Sequence, residues 1–93
     1  MASTVDELSI QWEEDGEIVV KEVDKKVLTK GAWTTIAFLT QDLDRKTGEY
    51  KPKKVSIRRY RKMNGEYKAQ SKFNISNKKQ ALQLIEILNE WFS

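Results

Sequence analysis

Apolar and polar residues alternate along much of this chain and then repeat with helical spacing near its end. Leu8-Ser9-Ile10-Gln11-Trp12 alternates and predicts a short strand. Residues 17–23 (EIVVKEV) are rich in β-branched side chains and predict a better one, with Glu13-Glu14-Asp15-Gly16 as the turn between them. Val27-Leu28 and then residues 33–40 (WTTIAFLT) follow, and Lys30-Gly31 between them predicts a bend or bulge rather than a break. Trp33, Ile36, Phe38 and Leu39 are too apolar for a solvated strand, so much of this stretch belongs to the core. Residues 41–54 are rich in turn formers. Lys46-Thr47-Gly48 is the expected tip, and Pro52, which cannot donate to a ladder, belongs at an edge or in the loop.

Residues 53–75 read as a hairpin, because Asn64-Gly65 separates two runs in which Val55, Ile57, Tyr60 and Tyr67 alternate with bases. A two-residue turn is the default for Asn-Gly. It would set Ile57 opposite Lys72 and Val55 opposite Asn74, mixing apolar and cationic side chains on both faces. A three-residue loop, Met63-Asn64-Gly65 with Gly65 left-handed, would instead pair Val55 with Phe73, Ile57 with Ser71, Lys62 with Glu66, Tyr60 with Lys68, Arg58 with Gln70 and Ser56 with Lys72. One face then becomes apolar near its base and the other basic. Burial therefore predicts the three-residue loop.

The final element is a helix capped by Ser76 or Asn77, with Gln80 at the capping-box spacing from Asn77. Ala81, Leu82, Leu84, Ile85, Leu88, Trp91 and Phe92 make a stripe wider than one sheet can cover, with Ile87 partly outside it. The expected contact is a second copy of the chain, through Leu84, Ile85, Leu88, Trp91 and Phe92. The fold class expected is α+β: an antiparallel sheet of about four strands followed by a C-terminal helix, dimerising. Residues 1–16 are expected to be an acidic arm, disordered over residues 1–7, and residues 17–93 the folded domain.

Charge sharpens this picture. The net charge of +3 conceals a polarised chain: residues 1–24 carry eight acids and one Lys, whereas residues 45–79 carry thirteen bases and two acids. Between Lys51 and Lys72 there are nine bases and one acid, Glu66. Clustered bases interleaved with aromatics are the footprint of a nucleic-acid binder. Lys51, Lys53, Lys54, Arg58, Arg61, Lys62, Lys68 and Lys72 are the candidate phosphate contacts. Tyr60, Tyr50, Tyr67 and one of Trp33 or Phe38 are candidate stacking platforms, while Trp33, Phe38 and Phe73 also suit the core. Lys78 and Lys79 stand in the first helical turn, where the helix dipole disfavours cations by a few tenths of a kcal/mol. The acidic arm could bind a partner, remain a solvated tail, or lie over the basic hairpin and compete with nucleic acid.

Chemistry is sparse. Without His or Cys the chain lacks the commonest general base, metal ligands and nucleophiles, and no phosphate-cradling Gly-rich motif occurs. A binding protein is expected rather than an enzyme, with no metal and no cofactor. No apolar run approaches the ~20 residues that span a bilayer, and the start lacks the marks of a secretory signal, so the expectation is a soluble, intracellular protein.

Val55-Ser56-Ile57-Arg58-Arg59-Tyr60, then Gly65-Glu66-Tyr67-Lys68, then Lys72, and Ile75 just before the helix, resemble the PC4 family of single-stranded DNA-binding transcriptional coactivators. That family's pattern is V-x-I-R-x-Y, a G-E-x-K turn, a K-G-I/V step and a closing helix. The resemblance spans roughly residues 26–92, with Trp33 to Leu39 similar to the preceding curved strand. Arg61 stands where many members carry an aromatic, Phe73-Asn74 replaces the Gly before the last Ile or Val, and the loop at 41–54 is longer. The resemblance implies a curved sheet, and a homodimer in which helices meet and two antiparallel grooves hold single strands. It implies DNA contacts at Arg58, Tyr60, Lys68 and Lys72. Outside that resemblance, two alternatives stand: an adaptor whose basic sheet meets an acidic protein, and an RNA-binding module. No recognition helix is visible, so sequence specificity is not expected.

Overall fold

Alternation becomes one antiparallel sheet over most of the chain. In the computed structural model, which describes residues 4–93, six strands precede one helix: β1 (Trp12–Glu14), β2 (Glu17–Thr29), β3 (Trp33–Asp44), β4 (Glu49–Tyr50), β5 (Lys54–Met63), β6 (Glu66–Ile75) and α1 (Lys78–Phe92). The spatial order is β1-β2-β3-β5-β6, with β4 paired to the far end of β3. The α+β class and the closing helix are as expected; the sheet has six strands rather than about four.

Two departures lengthen it. Residues 30–32 close a tight hairpin between β2 and β3, where a bend in one continuous strand was expected. Gly31 takes a positive φ of 151°, and the Thr34 hydroxyl donates to the Gly31 carbonyl at 3.1 Å, fixing the reversal. The strand expected at Leu8–Trp12 is displaced to β1, because residues 5–10 have another task, described below. Val23 and Leu28 are extra residues on β2 relative to β3, and such bulges bend a strand. The result is a curled plate with extents of 39 × 39 × 17 Å.

The register of the β5–β6 hairpin differs from both sequence-based alternatives. Asn64 and Gly65 have φ of 52° and 78°, and Met63 pairs with Glu66, so the turn has the two residues that Asn-Gly prefers. The three-residue loop is not formed. The mixing of faces that argued for it is removed elsewhere. Arg59 pairs with Ser71 while Tyr60 pairs with Ala69, leaving Gln70 as a bulge. Beyond it Ile57 meets Phe73 and Val55 meets Ile75. Turn chemistry sets the tip, burial sets the base, and one inserted residue reconciles them.

The sheet has two distinct faces. Thr34, Ile36, Phe38 and Thr40 of β3, with Ser56 and Tyr60 of β5, are buried on what we call the inner face. Val5 and Leu8 close over it, and the cluster Val5, Leu8, Ile36, Phe38 and Tyr60 is the core, flanked by Ile10 and Tyr67. The disorder expected for residues 1–7 is therefore not what the described part shows: Val5–Glu7 form a single 3₁₀ turn with Val5 buried, and residues 1–3 lie outside the described residues. On the outer face, Leu39, Val55 and Ile75 meet the start of α1 at Asn77, Lys78 and Ala81 around a cavity of about 550 Å³.

Asn77 caps α1 by accepting from the Gln80 amide at 2.8 Å, and the Gln80 side chain accepts from Ser76 N–H at 2.8 Å, which is the expected cap. The helix covers little. No α1 residue is buried, and Leu82, Ile85, Leu88, Trp91 and Phe92 are exposed.

Removing Gln70 should leave every flanking pair in place, because Tyr60–Ala69 then runs directly into Arg59–Ser71, Ile57–Phe73 and Val55–Ile75 in one register. Phe73 and Ile75 stay on the outer face, so the deletion is expected to fold with a urea midpoint close to the parent's. A deletion variant that fails to fold, or unfolds at far lower urea, would show that the sheet needs the bulge itself and not only the pairing it reconciles.

Candidate nucleic-acid interface

β5 and β6 carry the basic residues onto both faces of the hairpin. Pairing of Arg58 with Lys72 and of Lys62 with Tyr67 puts Ser56, Arg58, Tyr60 and Lys62 on the inner face with Tyr67, Ala69, Lys72 and Asn74. Arg59, Arg61 and Lys68 take the outer face with Trp33, which pairs with Arg61 across β3 and β5. Of the group expected on one face, Arg58, Tyr60, Lys62 and Lys72 remain together: the two-residue turn puts Lys68 on the other side, and the bulge returns Lys72 to this one.

The outer cluster is open. Trp33 is 40% exposed, so it is not the core residue that its alternative reading suggested. The Arg59 and Arg61 guanidiniums lie 4.4 and 5.3 Å from its ring centre. Such cation–π contacts hold guanidinium groups in place at about 0.5–1 kcal/mol each on a surface. Arg61 sits directly opposite Lys68, a like-charge pair that a sheet would ordinarily avoid. Arg59 was missed as a candidate by sequence; its position two residues from Arg61 on the strand beside Trp33 was the available signal.

The inner cluster is half open. Arg58 donates through Nε to the Ser56 hydroxyl at 2.8 Å, and that hydroxyl donates to Asn74 Oδ1 at 2.8 Å, which orients the guanidinium. Arg58 and Lys72 border a cleft of about 210 Å³ at the Gln70 bulge. Lys62 lies 5.5 Å from the Tyr67 ring centre, and the Tyr67 hydroxyl donates to the Gly31 carbonyl at 3.1 Å. Tyr60 is 6% exposed and Phe38 wholly buried, so Phe38 belongs to the core and offers no platform. Lys51 and Lys53 are exposed in the β4–β5 connection, together with Pro52 outside the ladder. Lys54 is engaged by Asp42 at 2.7 Å.

Among the described residues, none of Arg58, Arg59, Arg61, Lys62, Lys68 or Lys72 forms an ion pair; the pairs present involve Lys26, Arg45 and Lys54. No protein-family model, curated protein or solved structure matches the chain. The interface presents exposed cations at strand spacing around an accessible indole, and it can neutralise phosphates and offer a face for a base. Among the described residues no cluster of carboxylates could hold a metal ion.

The helix residues expected at a dimer contact divide. Leu84 is half-buried and borders a cavity with Phe73, Ile75 and Ile87 of its own chain. Ile85, Leu88, Trp91 and Phe92 are exposed, Phe92 at 84%.

Two tests follow from the electrostatics. Lys68→Glu should replace a repulsion opposite Arg61 with an attraction and raise stability by about 0.2–1 kcal/mol at low salt. The gain should vanish in high salt, and an unchanged urea midpoint at low salt would count against the repulsion. Burial holds the Tyr60 phenol above its ordinary value of 10.0; Arg58 pulls it down and Glu22 adds to the rise. The raised value means the folded state resists ionisation. The contribution is complete below the unfolded value and is lost as pH climbs through the folded one. Stability should fall above about pH 10, less steeply in Tyr60→Phe, with urea titrations across that range as the check.

Proposed function

We propose that this chain binds single-stranded nucleic acid, DNA in the first place, without sequence preference. The observation that carries this reading is the set of exposed, unpaired cations on β5 and β6 beside the accessible Trp33. Lys and Arg release counterions from the phosphate backbone, and stacking on aromatics holds bases whatever their identity. The curled sheet followed by a closing helix agrees with what the PC4 resemblance implies.

The reading includes a dimer. An exposed helix face bearing Leu82, Ile85, Leu88, Trp91 and Phe92, next to the 54% exposed Phe73 of the outer sheet face, is more apolar surface than a small monomer ordinarily leaves in water. A second copy, presenting the same face, is the occupant that would cover it.

Fluorescence anisotropy of a labelled strand of about 20 nucleotides, set against its duplex and its RNA counterpart over a salt series, tests the function. The expected result is tight single-strand binding with a log–log salt slope of about −0.7 for each phosphate engaged. Arg58→Ala with Lys72→Ala, and Arg61→Ala with Lys68→Ala, should each weaken binding and flatten that slope. Equal, weak binding of strand and duplex that disappears by about 150 mM salt would mean a generic basic surface and would turn attention to an acidic protein partner.

A further inference from the structure

We infer that residues 5–10 act as a built-in competitor of the nucleic acid, occupying the inner face of the hairpin until a strand displaces them. This rests on the function proposed above and concerns the regulation of that site.

Three observations converge. The first is position: Val5 and Leu8, 4% and 6% exposed, lie in one cluster with Tyr60, Ile36 and Phe38, and Ile10 flanks it. Tyr60 is the aromatic between Arg58 and Lys62 on the inner face, so a base cannot stack on it while the arm is down. The second is charge. The arm carries the exposed acids Asp6 and Glu7 and covers part of the same sheet face that bears Arg58, Lys62 and Lys72.

The third is the fastening. Lys25 Nζ donates to the carbonyls of Val5, Asp6 and Leu8 at 2.8, 3.2 and 2.7 Å, using all three of its protons on the arm's backbone. Ser9 donates to Glu22 Oε1 at 2.8 Å, and the Gln11 side chain accepts from Glu22 N–H at 3.1 Å. Every one of these polar ties goes to β2. The hydrogen bonds of Val5, Asp6, Leu8 and Ser9 go to β2, whereas Val5 and Leu8 meet Tyr60 of β5 by apolar contact. Lifting Val5 and Leu8 from Tyr60 therefore gives up the three bonds to Lys25, while the ties of Ser9 and Gln11 to Glu22 keep the arm's base on β2 for its return. Neutral replacement of Lys25 loosens the latch without touching a basic residue of the hairpin.

Two measurements on the full chain test this with an oligothymidylate of about 20 nucleotides, long enough for an extended single-strand site. The chain has no Cys, so Asp6→Cys accepts a single nitroxide label. The label should broaden the Tyr60 and Arg58 amide resonances in the free protein, and saturating oligothymidylate should relieve the broadening. Separately, Lys25→Met should tighten binding by about tenfold, the factor expected if the site is open about one-tenth of the time. Tyr60→Leu should then weaken binding more in the Lys25→Met background than in the parent. Broadening that persists at saturation, with equal affinities for parent and Lys25→Met, would overturn the competitor role while leaving the nucleic-acid function intact. Failure of both proteins to bind the oligonucleotide would overturn both.

Discussion

A single-layer sheet has two faces, and each needs a cover. That constraint governs this molecule more than any one contact does. The described residues supply six strands and two short covers, the arm at residues 5–10 and the helix α1. The inner face is sealed by Val5 and Leu8 over Ile36, Phe38 and Tyr60. The outer face is approached by α1 around Leu39, Val55 and Ile75, where the helix begins, and is open at Phe73 and Trp33. What remains uncovered is where function has been sought: cations and an indole at the tip, apolar surface along the helix.

The hairpin shows how a local rule and a global one can both be obeyed. Asn64-Gly65 enforces a two-residue turn because both residues tolerate positive φ. The apolar pairs Ile57–Phe73 and Val55–Ile75 require a different alignment. A bulge at Gln70 absorbs the mismatch, and with it the division of labour between faces changes. Arg58, Tyr60, Lys62 and Lys72 share one side, whereas Arg59, Arg61 and Lys68 gather at Trp33 on the other.

Much of the fold was legible because its signals are local: the Asn77 cap with Gln80, the reversal at Lys46-Thr47-Gly48, and alternation through Trp33–Asp44. Three features were not. The Gln70 bulge has no residue signature, since any polar residue can stand unpaired at an exposed strand position. The reversal at residues 30–32 was hidden by β-rich sequence on both sides, so that Lys30-Gly31 read as a bend. The arm was read as a tail because Val5, Leu8 and Ile10 are spaced irregularly among acids, and only the closeness of Tyr60 and Phe38 in space gives them a partner. In the candidate site, the basic character of the hairpin was plain from composition, but its division between two faces depended on the turn length and the bulge together, and the two-residue turn gave Lys68 and Arg61 each other as neighbours instead of Tyr60 and Tyr67.

The Gln70 bulge has one more consequence. β6 is the last strand of the sheet, and its free side would offer a ready template for another chain to add a strand. Gln70 interrupts that row of backbone donors and acceptors midway, and Lys68 and Lys72 place a cation on either side of the break. The same residue that sorts the side chains thus spoils the edge for open-ended sheet growth. A broken, charged edge of this kind disfavours the fibre-like stacking that a long regular edge strand invites.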